Sequence, residues 1–256
     1  AGPAGEAAAA PAGDDVDPAP PLSKEEAADR LSSMYGAEVP RQLASGAWKD
    51  RLAGMATVAE AIAAMAPAAC DAAAEHTVRA LAATPGFDEK NFQVLGRVFD
   101  ALASLAAKAP AFSKRDGAHV VAAVAEKLAD VKLRGPGAGA LTSVCEALGP
   151  SFVFAQLRRR ADSQKNPKVT SEALLFCAGA VREFGVHACG IPQVIDWCKA
   201  SLGLTNPACK AAAAKLLGAT HAGVGPGLRD FLGELKEAQM KALEVEFARN
   251  PFEVTE

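Results

Sequence analysis

Apolar residues recur three and four positions apart in segment after segment: Leu52, Met55, Ile62 and Met65; Val94, Val98, Leu102 and Leu105; Val120, Val124, Leu128 and Val131. The pattern continues through Leu141, Val144 and Leu148, then Leu174, Cys177, Val181 and Phe184, then Ile191, Val194, Cys198 and Leu202. Leu228, Phe231 and Leu235, followed by Leu243 and Phe247, close it. This spacing puts one apolar stripe on each of a series of amphipathic helices, about twelve of them. The order begins at Ser23, where Ser23 and Glu26 have the spacing of a capping box. Residues 1–22 are alanine, glycine, proline and acid with no period and read as a disordered linker, the folded unit as 23–250, and 251–256 as a tail.

The breaks between stripes have a rhythm. They centre on Trp48, Phe87, Lys132, Lys165 and Asn206, with gaps of 39, 45, 33 and 41 residues. Helical hairpins of the HEAT type repeat every ~40–47 residues, each unable to bury its apolar face without a stacked neighbour. An internal echo supports the period: Asn166-Pro167 and Asn206-Pro207 lie 40 residues apart, and Phe184-Gly185 and Val224-Gly225 trail at the same offset. Asparagine suits the N-cap, proline the first helical position and glycine the end, so each pair launches the second helix of a hairpin. The expected fold is an all-α solenoid.

Composition narrows this further. Alanine, the strongest helix former, supplies 59 of the 256 residues, while the residues favoured in strands are used sparingly. The net charge is −3, with −4 of it in the first 22 residues, so the rest is near +1 and a strongly basic nucleic-acid binder is excluded as the default. The apolar run Leu52 to Cys70 contains Glu60, Gly54 and Pro67, which argues against a membrane span. Six cysteines at 70, 145, 177, 189, 198 and 209 show no zinc-ligand spacing and read as reduced, buried thiols. Together with the absence of a secretory signal pattern, they point to the cytoplasm.

No catalytic signature is present. The four histidines are isolated, and neither a phosphate-binding loop nor a nucleophile elbow occurs. The segment Gly135 to Gly139 reads as a helix-launching turn, and no cofactor or metal is implied. What remains is a set of hairpin-tip residues on one edge of the stack: Trp48, Lys49 and Arg51; Phe87, Lys90 and Asn91; Lys132 and Arg134; Lys165 and Lys168; Asn206 and Lys210. Such a row suits a partner with a long acidic face, because Trp and Arg dominate binding hot spots and basic groups steer association. On sequence chemistry alone the simpler reading, a set of solvated helix ends, is favoured, since charged loop tips are ordinary. Asp50, Asp88, Glu89 and Asp130 interrupt it, against nucleic acid. Trp48 is open in the same way: it continues the Leu52 and Met55 stripe toward the core, yet its place at the helix start allows the ring to project. Trp197, beside Cys198, reads as packing between repeats.

These residues resemble a known family, the TOG domains of microtubule polymerases of the ch-TOG and Mini spindles type. Trp48-Lys49-Asp50-Arg51-Leu52 is similar to the WKxRL opening of those domains, and Pro85-Gly86-Phe87 with Asn91-Phe92-Gln93-Val94 to a PG(W/F)xxxNFQV segment. Phe112-Ser113-Lys114, Asp130-Val131-Lys132, Ser163 to Lys168, Glu183-Phe184-Gly185 and Thr205 to Ala208 follow in order, most like the third domain of the array. The resemblance implies a flat paddle of six HEAT repeats whose intra-repeat loops bind αβ-tubulin. It makes Trp48 the β-tubulin anchor in the first loop, with Lys49 nearby and Arg51 of the same motif a further tubulin-binding candidate; Phe87 and Lys90 flank the second loop; Lys132, Lys165 and Lys168 occupy the third and fourth; and Asn206 and Lys210 belong to the fifth. Strongly binding members carry arginine after NPAV in the fifth loop, where this chain has Lys210, which keeps the charge without the bidentate fork. The implied function is a non-enzymatic tubulin-binding module at microtubule ends, in the cytoplasm on microtubules, the spindle or an organising centre, beside further TOG domains. The alternative is a structural spacer that orients its neighbours or binds another protein. Neither nucleic acid nor membrane is expected as a partner.

Overall fold

The computed structural model describes Asp14 and residues 16–252, and among them are thirteen α-helices and no strand. The chain is an all-α solenoid of six hairpins. The first arm of the first hairpin is divided into α1 (Lys24–Tyr35) and α2 (Glu38–Leu43) at Gly36, whose φ of +95° favours glycine. That division accounts for one helix more than the sequence period predicts. The other arms are α3 (Trp48–Ala64), α4 (Pro67–Leu81), α5 (Phe92–Lys108), α6 (Lys114–Ala125), α7 (Arg134–Leu148), α8 (Pro150–Ser163), α9 (Pro167–Phe184), α10 (Ile191–Gly203), α11 (Pro207–Val224), α12 (Leu228–Leu232) and α13 (Glu237–Arg249).

Several helix ends are fixed by local chemistry. In α1 the capping box is made, Ser23 Oγ accepting from the Glu26 amide while the Glu26 carboxylate accepts from the Ser23 amide. Helix α5 starts at the Asn91 cap and buries Val94, Leu95, Val98, Phe99, Leu102 and Leu105 along one face. At its far end Lys108 Nζ donates to the Ile62 and Ala63 carbonyls, 2.8 and 2.7 Å away, closing the C-terminus of α3. Gly135 to Gly139, expected as a turn before a helix, form the opening turns of α7 instead. There Gly137 lets α7 approach α6, since a Cβ would stand 3.0 Å from Val124 Cγ1.

The hairpins stack in two layers. Helices α1, α4, α6, α8 and α10 form the outer layer; α3, α5 and α7, then α9, α11 and α13, form the inner one. Helices α7 and α9 do not pack closely, and the Arg134–Glu172 ion pair (2.6 Å) spans the step. One continuous core runs through the stack, with Phe99, Phe152, Leu31, Met55 and Leu141 fully buried. Trp197 lies within it, as expected, and all six cysteines are free and buried. Burial pushes the Cys189 thiol up to about 11 and the Cys177 thiol well above its usual range.

Two positions of the apolar stripes depart from expectation. Val131 and Phe231 are not core residues but 74% and 62% exposed. Helix α6 ends at Ala125 and the chain then turns through Lys127–Val124 and Asp130–Lys127 backbone bonds, which rotates Val131 off the stripe. Of the expected linker, residues 1–13 and 15 lie outside the described ones, and Val16–Leu22 lie against the outer layer, where Arg79 and Gln156 donate to the Pro20 and Val16 carbonyls.

Candidate binding edge

Six loops join the two arms of the hairpins, so the solenoid geometry brings them to one edge. The first loop, 44–47, is shaped by Arg51 from the first turn of α3. Its guanidinium donates to the Ser45 and Gly46 carbonyls (2.8 and 3.1 Å) and, through two nitrogens, to both oxygens of Glu89 (2.7 and 3.0 Å). Glu89 also accepts from the Asn91 amide at 2.7 Å. Its side chain is 5% exposed. Burial acts to raise the Glu89 pKa, yet the Arg51 bonds and the backbone amides hold it below the usual carboxylate value. Arg51 thus ties the first loop to the second. Glu89 is therefore compensated within the edge by Arg51, whereas Asp50, exposed and accepting from the neutral Ser45 Oγ at 2.7 Å, keeps its negative charge there.

Trp48, at the first position of α3, resolves the two readings left by its spacing: the ring is 37% exposed at the tip. Lys49 Nζ lies 6.0 Å from its centroid. The second loop, between α4 and α5, carries a cis Thr84–Pro85 peptide and Gly86 at φ +92°. Phe87 is half-buried against the core, and Lys90 is exposed. Asn91 Oδ1 accepts from the Gln93 and Val94 amides, 2.9 and 3.3 Å away.

In the third loop the Lys132 amide donates to Asp130 at 2.8 Å, leaving the Lys132 ammonium 4.3 Å from the Phe92 ring centroid. Lys165 and Lys168 are exposed on either side of Asn166, whose side chain caps α9 through the Lys168 amide at 3.0 Å. Asn206 caps α11 through the Ala208 and Cys209 amides, and Lys210 is half-buried behind it. Cys209 Sγ donates to the Pro167 carbonyl at 3.2 Å, fixing the fifth loop against the fourth.

The edge therefore separates two kinds of candidate. Trp48, Lys49, Lys90, Lys132, Lys165 and Lys168 project to solvent, whereas Arg51, Phe87 and Asn206 build the loops that present them. Phe92 and Leu204, 39% and 43% exposed, add apolar surface that the sequence argument did not single out. A signal for Phe92 existed: it sits two residues before Val94 and so off the buried stripe of its own helix. Among the described residues there is no group of three or more acidic, histidine or cysteine side chains placed to hold a metal, and no helix long and apolar enough to cross a membrane.

Fold and edge together define a helical-repeat solenoid that presents a half-exposed tryptophan and a row of lysines along one edge. The family model described as XMAP215/Dis1/CLASP, TOG domain, matches residues 37–247. The chain belongs to that family. It is 38% identical over 256 residues to Protein MOR1 of Oryza sativa subsp. japonica, an alignment covering 99% of this chain and 13% of that protein. The chain thus spans about an eighth of that relative. In structure it is similar to Drosophila melanogaster Mini spindles TOG3, with a TM-score of 0.78, 29% identity, and coverage of 84% of this chain and 93% of that one. A structure from work on tubulin recruitment and assembly by microtubule polymerases with TOG domain arrays shares the fold at TM-score 0.69 and 15% identity, covering 90% and 48%.

Proposed function

We propose that this domain is a non-enzymatic tubulin-binding module whose loop edge engages the αβ-tubulin heterodimer at microtubule ends. The observation that carries the reading is Trp48 at the tip of the first loop with exposed lysines following along the same edge. A half-exposed Trp offers a large contact area at low entropic cost, and the lysines give the on-rate and register toward an acidic surface. The TOG arrays named for tubulin recruitment support it by kinship of fold. In a longer chain, neighbouring TOG domains would raise the local concentration of tubulin without new contacts, and the site of action would be the microtubule cytoskeleton, including spindle or organising centre. No cofactor enters this function.

A second reading, a spacer with little tubulin affinity, is favoured by one feature, the lysine at 210 in place of a bidentate arginine. Binding of the chain to unpolymerised αβ-tubulin separates the two. Trp48→Ala is expected to weaken binding at least tenfold while leaving the fold intact by circular dichroism, and Lys210→Glu to weaken it further at the far end. Raising ionic strength should reduce affinity of the parent. Absence of binding by the parent at tens of micromolar selects the spacer.

A further inference from the structure

Asp14 and residues 16–22 lie across the outer layer, and their contacts have the composition of a recognition site. Gln156 of α8, only 3% exposed, gives its Nε2 hydrogens to the Asp14 and Val16 carbonyls at 2.8 and 3.1 Å. Arg79 of α4 gives Nε and an NH2 hydrogen to the Pro20 carbonyl, at 3.2 and 3.0 Å, and a third bond to Glu75. Lys114 of α6 pairs with Asp14 at 2.8 Å, and Arg159 of α8 pairs with Asp17. Side-chain donors thus meet two carboxylates and three main-chain carbonyls, and the described residues 14 and 16–22 are neither helix nor strand.

The dimensions agree with an extended peptide. Helices packed side by side are ~8–10 Å apart. Crossing from α8 over α6 to α4 is therefore about 18 Å, which six residues at the ~3.1 Å rise of a polyproline strand cover. Such a strand makes no internal hydrogen bonds, so its carbonyls are free for Gln156 and Arg79. Pro18, Pro20 and Pro21 reduce the entropy lost on docking.

We propose that α4, α6 and α8 form a binding site for an extended, acidic, proline-rich peptide of the pattern Asp-x-x-Asp-Pro-x-Pro-Pro, which this chain fills in cis with its own residues 14–21. The site holds the incoming segment on the outer layer of repeats two to four, and the same segment of a second copy competes for it. The proposal does not rest on the tubulin reading, since none of its residues belongs to the loop edge.

The test uses the full chain with Asp14→Lys and Asp17→Lys, which sets like charges against Lys114 and Arg159 and vacates the site. A fluorescein-labelled peptide of residues 13–22 is titrated in and its anisotropy followed. Saturable binding is expected, at least tenfold weaker to the parent chain and at least tenfold weaker after adding Arg79→Ala and Gln156→Ala. A released chain that keeps the parent's circular dichroism yet fails to bind up to 1 mM, or binds no better than the parent, overturns the proposal. If the released chain does not fold, a nitroxide on Pro20→Cys in the otherwise unchanged chain decides, the six native thiols being buried. An immobilised spectrum that becomes mobile with Arg79→Ala and Gln156→Ala supports the site; a spectrum already mobile overturns it.

Discussion

Arg51 and Trp48 stand three positions apart in the first turn of α3, and their surroundings give them opposite tasks. The tryptophan projects, while the guanidinium is committed to Glu89 and two carbonyls of the preceding loop. Removing one partner of a buried pair costs more than removing both, because the remaining charge is left without compensation. Arg51→Ala is therefore expected to destabilise by about 3 kcal/mol, and Arg51→Met with Glu89→Leu to recover most of that. Urea denaturation of the parent, single and double variants checks it. The depressed Glu89 pKa fixes the pH sign: the pair's contribution is complete above the unfolded carboxylate value near ~4.3 and is lost as pH falls through the folded value. A row of basic letters could not reveal this division. Arg51 and Lys49 look alike in sequence, and only the approach of Glu89, 38 residues away, distinguishes them.

At the scale of elements, the hairpin plan was legible because its punctuation is local. Asn166-Pro167 and Asn206-Pro207 start α9 and α11 with the asparagine side chain on the first amides, and Gly185 and Gly225 end them at φ +79° and +81°. The apolar period identified the buried faces of α5, α9 and α10, where nothing interrupts it. It misplaced Val131, which continues the spacing after α6 has ended, and Phe231, which lies within the five-residue α12 but faces solvent while Leu228 and Leu232 are buried. Nor does the period say where Val16–Leu22 lie, since their hydrogen bonds come from α4 and α8 donors far along the chain. Packing between elements is likewise invisible in one helix. Gly117 of α6 and Gly139 of α7 read alike, but a Cβ on Gly117 would lie 2.4 Å from Leu148 Cδ1 and 2.9 Å from Phe152 Cε1, whereas nothing stands within 4 Å of Gly139. Gly117→Ala should cost about 1–3 kcal/mol through overpacking. Gly139→Ala should gain about 0.5–1 kcal/mol from helix propensity. Thermal melts of the two variants would show shifts of opposite sign.

Across the whole molecule, the inner layer steps between α7 and α9, while the outer layer is continuous from α4 through α6 to α8 and is crossed by the N-terminal segment. Beneath that segment lies His119 of α6, nearly buried, its Nε2 without a hydrogen-bond partner. Burial lowers its pKa; the Ala19 backbone opposes this, and the charges of Arg79 and Arg160 reinforce it. A histidine held neutral in the folded state binds its proton more readily when unfolded. Its contribution is therefore intact above the unfolded value near ~6.5 and declines as pH falls toward the folded value. Asp116, on the same helix, is raised by burial and acts in the opposite sense, its contribution being lost as pH rises from the ordinary carboxylate value through the raised one, so it does not produce a decline toward acid. Between pH 7.5 and 5.5 the stability of the whole chain should fall by up to about 1.4 kcal/mol from this one site. In His119→Gln, which cannot take up a proton, that fall should disappear while the acid transition at lower pH remains. Urea midpoints measured at both pH values on parent and variant decide it, and an unchanged slope in the variant would assign the acid sensitivity to other groups.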